Sequence, residues 1–173
     1  MKKTAIVYWL RPEKDERELF CEIIRILCHE LSAPNFDPHL TLLISGKNPR
    51  TPKEVLRRIK AGPIRLKIRG TASSPEFTKT LFVRFRPNEA LQKLIHELGG
   101  AAKVRATSVR DPHVSLLYKK MPPHAKKVLA SILKLPFRTV LFDSVVAVRL
   151  TLPVRTGANV SAWKIVARKS LRR

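Results

Sequence analysis

The same seven-residue phrase stands twice in this chain, as Asp37-Pro38-His39-Leu40-Thr41-Leu42-Leu43 and as Asp111-Pro112-His113-Val114-Ser115-Leu116-Leu117, 74 residues apart. The surroundings repeat with it. Upstream, Ile6-Val7-Tyr8-Trp9-Leu10-Arg11-Pro12 matches Leu81-Phe82-Val83-Arg84-Phe85-Arg86-Pro87 at an offset of 75; downstream, Pro63-Ile64-Arg65-Leu66 matches Pro136-Phe137-Arg138-Thr139 at 73. Three offsets agreeing within two residues mark an internal duplication, which restricts the fold to two similar halves.

Each half reads strand, helix, strand carrying the histidine phrase, helix, strand. Helices are predicted from 3.6-residue spacing of apolar residues: Leu19, Ile23, Ile26, Leu27 and Leu31; Val55, Leu56 and Ile59; Leu91, Leu94, Ile95 and Leu98; Val128, Leu129 and Ile132. Gly99-Gly100 reads as a helix stop. Strands are predicted from alternation, as in residues 64–69 and 163–166. The expected fold is α+β: one domain over residues 1–173 made of two intertwined, pseudo-symmetric lobes, their antiparallel sheets facing a central cleft with helices outside.

Composition narrows the setting. Lys and Arg number 35 against 13 Asp and Glu, a net charge of +22, which favours polyanionic or phosphorylated partners. Cys21 and Cys28 fit one helix face and cannot make a disulfide framework, so a reducing cytoplasm is expected. No uncharged apolar run approaches the ~20 residues of a membrane helix, and the short apolar stretch from Ala5 to Leu10 reads as a buried first strand. A membrane is not among the expected partners, and the chain is expected to be a monomer.

In a strand, His39 and Thr41 point to one face while Leu40 and Leu42 enter the core; His113 and Ser115 repeat the arrangement. Pro38 and Pro112 hold the preceding residue extended and set each histidine at a strand start. Two lobes face to face would bring two imidazoles and two hydroxyls around one point. Such a site suits phosphoester chemistry: one neutral histidine takes a proton, the other, protonated, gives one, and the hydroxyls hold phosphate oxygens. Imidazole serves because its pKa of ~6.5 keeps both protonation states accessible near neutrality. A core has no need of histidine and hydroxyl at equivalent places twice. No third ligand at metal-binding spacing accompanies the two histidines, so no metal and no cofactor is expected. His29, His96 and His124 have no duplicated partner and read as structural.

The paired PHLTLL and PHVSLLY phrases resemble the two signature motifs of the two-histidine (2H) phosphoesterase superfamily, and the second is similar to the cyclic phosphodiesterase branch, where Ser replaces Thr and Leu-Tyr follows. Trp9 and Trp163 resemble that branch in position. The resemblance implies a bilobal fold without metal and hydrolysis of 2′,3′-cyclic nucleotides or ADP-ribose 1″,2″-cyclic phosphate to a monoester. It makes His39 and His113 the acid/base pair, Thr41 and Ser115 the phosphate holders, Tyr118 a further substrate contact and Trp9 a neighbour of the base or sugar. Two readings of these last residues stand side by side: strict alternation turns Tyr118 away from His113 unless the strand bulges, leaving a core tyrosine, and Trp9 is equally a buried strand aromatic. Phe77 is a further stacking candidate.

The charge leaves substrate size open. Arg65, Lys67 and Arg69 alternate along one strand face, either as a solvated surface or as a track for an RNA end carrying a cyclic phosphate, and Arg84 and Arg86 suit either substrate. The alternatives are therefore RNA-end processing, a 2′-5′ RNA ligase-like activity, or a non-catalytic basic RNA-binding module.

Overall fold

The computed structural model describes residues 2–46 and 50–172. Among these residues run seven strands, β1 (Lys3–Pro12), β2 (Leu40–Ser45), β3 (Ile64–Ser73), β4 (Leu81–Phe85), β5 (His113–Leu117), β6 (Thr139–Leu152) and β7 (Lys164–Ser170). Five helices accompany them, α1 (Lys14–Leu31), α2 (Pro52–Arg57), α3 (Glu89–Ala102), α4 (Pro123–Ile132) and α5 (Gly157–Ser161). The fold is α+β, as the alternation of periods predicts. No helix among the described residues is long and apolar enough to cross a membrane.

All pairings are antiparallel, and the strands form one connected sheet in the order β2-β1-β6-β3-β4-β5, with β7 added to β6. The third strand of each repeat pairs with the first strand of the other: β6 runs beside β1, and β3 beside β4. Where two sheets are expected, β3 joins them. Its first residues, 64–67, pair with β6, and from Ile68 onward it pairs with β4. The register shifts between Ile68 and Gly70, and Gly70 has φ 151°, a conformation costly for a side chain with a Cβ; the bulge bends the strand from one partner to the other.

The main core lies between sheet and helices. Tyr8, Leu10, Leu40, Leu66, Val83, Val114, Leu116, Val140 and Phe142 meet Phe20 and Ile24 of α1 and Leu91, Leu94, Ile95 and Leu98 of α3, all buried. On the opposite sheet face a second apolar cluster gathers Val7, Trp9, Val146, Val148 and Leu150. Its face carries the candidate site.

Gly99-Gly100 does not stop α3. The helix runs through both to Ala102 and ends at Lys103, which takes the left-handed conformation at φ 51°. Gly99 serves close packing instead: a Cβ there would lie 2.5 Å from the Ala106 Cβ. The short helix α5 escapes periodicity, being a single turn started by a capping box between Thr156 and Asn159.

Candidate active site

Both Asp-Pro-His phrases fold alike. In each, the imidazole Nδ1 lies within hydrogen-bond distance of the carbonyl oxygen two residues earlier, 2.6 Å from Asp37 O for His39 and 2.9 Å from Asp111 O for His113. A carbonyl only accepts, so each Nδ1 carries the proton and donates it, leaving Nε2 as the basic nitrogen of the neutral ring. The following proline restricts each aspartate to extended backbone, which helps aim that carbonyl.

The aspartate side chains are held as well. Arg11 on β1 meets Asp37 at 2.7 Å, and Arg84 on β4 meets Asp111 at 2.8 Å, with Lys79 on its other oxygen at 3.0 Å. Arg84 stands opposite His113 in the β4–β5 ladder, and Arg11 and His39 are each the next residue beyond the last pair of the β1–β2 ladder, Leu10–Leu40. Alignment of the prolines would match Arg11 with Arg86; strand register matches it with Arg84. Lys79 also lies over the Phe82 ring, 4.5 Å from its centroid.

A one-residue slip recurs beside each histidine. Tyr8 faces Leu43 but Trp9 faces Thr41, so Leu42 is extra in β2; Leu81 faces Leu117 but Phe82 faces Ser115, so Leu116 is extra in β5. A bulge resets alternation. It returns the fifth residue after each histidine, Ile44 and Tyr118, to the histidine's side, and both line the cleft that strict alternation denies to Tyr118.

That cleft encloses about 310 Å³ and is walled by Trp9, His39, Thr41, Thr78, Tyr118, Leu150, Val154 and Trp163, among others. His39 stacks flat on Trp9 with ring centroids 3.7 Å apart and an interplanar angle of 14°. Trp163 stands edge-on to both, at 5.0 Å from Trp9 and 5.9 Å from His39. Tyr118 stacks on Phe36 at 3.9 Å. Trp9 is thus both a buried strand aromatic and a wall of the cleft. Phe77, in the single turn Phe77–Lys79, contacts the Tyr118 ring at 6.0 Å.

The hydroxyls differ. Thr41 is exposed. Ser115 is buried and donates to Thr78 O at 2.8 Å. Burial pushes the pKa of the Tyr118 hydroxyl well above the usual phenol range, against a smaller opposing effect of Ser115. Thr78 belongs to a loop pinned by Thr80, whose hydroxyl lies within hydrogen-bond distance of Glu76 O, Phe77 O and Lys119 O.

Burial lowers the pKa of both histidines. His39, buried in the cleft wall, is pushed down to about 4 by desolvation, which outweighs its hydrogen bond to Asp37; His113 is shifted the same way, again chiefly by desolvation. Each ring is neutral at pH 7 in the free protein. His113 is among the charges that lower His39, so the two imidazoles lie within electrostatic reach of each other. Asp111 would be raised by burial, but its hydrogen bonds from Arg84 and Lys79 outweigh that and hold it below the ordinary carboxylate range.

Phe36, Thr78, Lys79, Arg11, Asp37 and Asp111 join the site without having been singled out from the sequence. The aspartates stood inside the duplicated phrase, and their repetition was the signal. Phe36 and Thr78 carry no such mark. Among the described residues no group of three or more His, Cys, Asp or Glu side chains is placed to hold a metal ion.

The family model of the 2′-5′ RNA ligase superfamily matches residues 12–152, most of the chain and both histidine phrases. The chain belongs to this superfamily of two-histidine phosphoesterases. Comparison with curated protein sequences finds no match. Among solved structures, E. coli LigT complexed with 3′-AMP is 15% identical with TM-score 0.57, covering 98% of this chain and 99% of LigT. LigT complexed with ATP is 14% identical with TM-score 0.58 and full coverage of both chains. The TT0787 protein of Thermus thermophilus is 18% identical with TM-score 0.58, covering 97% of this chain and 98% of TT0787. At these identities the likeness establishes the fold, a LigT-like two-histidine phosphoesterase architecture over the whole chain.

Proposed function

We propose that this two-histidine phosphoesterase is a metal-independent cyclic phosphodiesterase acting on 2′,3′-cyclic nucleotides or ADP-ribose 1″,2″-cyclic phosphate. The observation that carries the reading is the matched state of the two imidazoles: each spends Nδ1–H on a carbonyl and keeps Nε2 for chemistry, in duplicate, within electrostatic reach of the other. Water attacks phosphorus while one Nε2 takes its proton. The bond from phosphorus to one ribose oxygen breaks, and the other imidazole, protonated, gives that oxygen its proton. Thr41 donates to one non-bridging oxygen, and Ser115 donates to the other once its hydroxyl turns from Thr78 O to the phosphate. Both rings are neutral in the free protein at pH 7, so the acid's proton arrives with the anionic substrate, whose charge favours imidazolium. Tyr118 and the Trp9–Trp163 wall border the nucleoside.

The nucleotide complexes of LigT, with 3′-AMP and ATP, support a nucleotide-sized ligand for this chain. The second reading, an RNA end with a cyclic phosphate or a 2′-5′ RNA linkage, is favoured by exposed Arg65, Lys67 and Arg69 on β3. In either case we take the protein to act as a monomer in the cytoplasm, where Cys21 and Cys28 stay reduced.

The test is hydrolysis of the four nucleoside 2′,3′-cyclic monophosphates in excess EDTA, comparing wild type with His39→Ala and His113→Ala and reading product regiochemistry by phosphorus NMR. Turnover in EDTA that falls by on the order of 10²–10⁴-fold in each variant is expected. Near-normal turnover in both variants overturns the acid/base assignment. Turnover of oligonucleotide ends but of no mononucleotide selects the second reading.

A further inference from the structure

Each aspartate of the Asp-Pro-His phrases is used twice. Its backbone carbonyl accepts the histidine Nδ1–H, while its carboxylate is gripped by an arginine on the neighbouring strand, at 2.7 Å for Asp37–Arg11 and 2.8 Å for Asp111–Arg84. We propose that these two aspartate–arginine pairs are positioning devices that set the tautomer and orientation of His39 and His113. The pairs touch no reacting atom; they act through the histidines.

The geometry supplies the cause. The carbonyl belongs to the Asp–Pro peptide unit, whose direction is set by rotation about the aspartate's own Cα–C bond. Proline limits that rotation to the extended region, a well tens of degrees wide. A carboxylate tied to a strand narrows it further. The tie is firm because a guanidinium does not lose its charge and its fork fits a carboxylate. It is well placed because sheet register, independent of the loop, sets Arg84 opposite His113 and brings Arg11 to the residue just past the Leu10–Leu40 pair that adjoins His39. The Arg11 side chain is only 11% exposed, so removing its partner would leave a desolvated cation, and the pair resists opening.

Both copies of the phrase show the same arrangement, although the second adds Lys79 on Asp111 and the first does not. An ordinary surface ion pair has no reason to recur beside both histidines. The arrangement parallels the rule for metal-bound histidines, where the group on the far ring nitrogen fixes the tautomer. Here the far group is a carbonyl, and the ion pair fixes the carbonyl.

The catalytic consequence rests on the two-histidine reading above; the tautomer itself does not, which keeps the two failures distinguishable. The measurement is long-range proton–nitrogen NMR on the full-length protein at pH 7.5, for wild type, Asp37→Ala and Asp111→Ala, with Arg11→Gln and Arg84→Gln breaking the same pairs from the other side should an aspartate variant fail to fold. Wild type is expected to show Nδ1–H with bare Nε2 on both rings. Each variant is expected to gain an Nε2–H population on the histidine of its own phrase alone, and kcat for cyclic phosphate hydrolysis is expected to fall on the order of tenfold with KM within twofold. Arg84→Lys, which keeps the charge without the fork, is expected to recover part of that loss. Variants that keep Nδ1–H on both rings in wild-type proportion overturn the proposal, whatever happens to turnover. A wild type inert toward every cyclic phosphate overturns the enzymatic reading and leaves the tautomer result to decide this one.

Discussion

Acidification should remove from this protein the stability that a neutral His39 supplies. Folded, the ring is held at about 4, whereas free imidazole titrates at ~6.5. Above pH 6.5 the ring is neutral in both states; between the two values only the unfolded chain takes the proton; below pH 4 both do. The folded state binds fewer protons in that window, so stability present above pH 6.5 declines as pH falls toward 4. A gap of about 2.5 on the pH scale, at ~1.36 kcal/mol each, amounts to roughly 3 kcal/mol. Urea unfolding of wild type and His39→Asn at intervals from pH 7.5 to 4 isolates this contribution, because the carboxylates titrate in both proteins and cancel in the difference. His113 adds a contribution of the same sign to both. The stability advantage of wild type over the variant should shrink by roughly 3 kcal/mol across that range. Parallel curves would refute the claim that the Trp9–Trp163 enclosure keeps this imidazole dry and uncharged.

Three further outcomes follow from the packing and the charges. Binding of a nucleoside 2′-monophosphate at pH 7.5 should draw in protons, so calorimetric enthalpies measured in buffers of different ionisation enthalpy should differ, and identical enthalpies would contradict two neutral histidines in the free site. Gly99→Val should destabilise by about 1–3 kcal/mol in thermal or urea unfolding, since its Cβ would meet the Ala106 Cβ at 2.5 Å, whereas Gly100→Ala, which meets nothing within 4 Å, should stabilise α3 by up to about 1 kcal/mol. Tyr118→Ala should cost about 3–5 kcal/mol, while Tyr118→Phe, which keeps the stack on Phe36, should cost far less and lose mainly substrate affinity.

The equivalent settings of His39 and His113, each with Nδ1 against the carbonyl two residues earlier, were legible because duplication shows at the level of single letters. The exchange of β3 and β6 between repeats was not, since strand pairing depends on contacts far apart in sequence. Tyr118 shows the limit best. Counting by twos from His113 gives only a core tyrosine, which Tyr118 is, and misses that it also walls the cleft, because the extra residue Leu116, apolar like its neighbours, gives no local sign that the ladder slips there. Gly99-Gly100 misled for a related reason: a glycine that ends a helix and one that lets a neighbour approach look alike until Ala106 is seen against it. The aspartates of the repeated phrase were visible, but their arginines became partners only through register.

In the order β2-β1-β6-β3-β4-β5, the two histidine-bearing segments sit on the outermost members of the chain of pairings, and β2 and β5 nevertheless touch. The sheet therefore works like the frame of a caliper, with the imidazoles at its two tips and every intervening ladder part of the bow. The span between the tips is shared between the direct contact of β2 with β5 and the ladders that connect them. Five ladders make up the bow, and the kink of β3 at Gly70 lies among them, so a residue that belongs to neither histidine strand has a part in how the two strands meet.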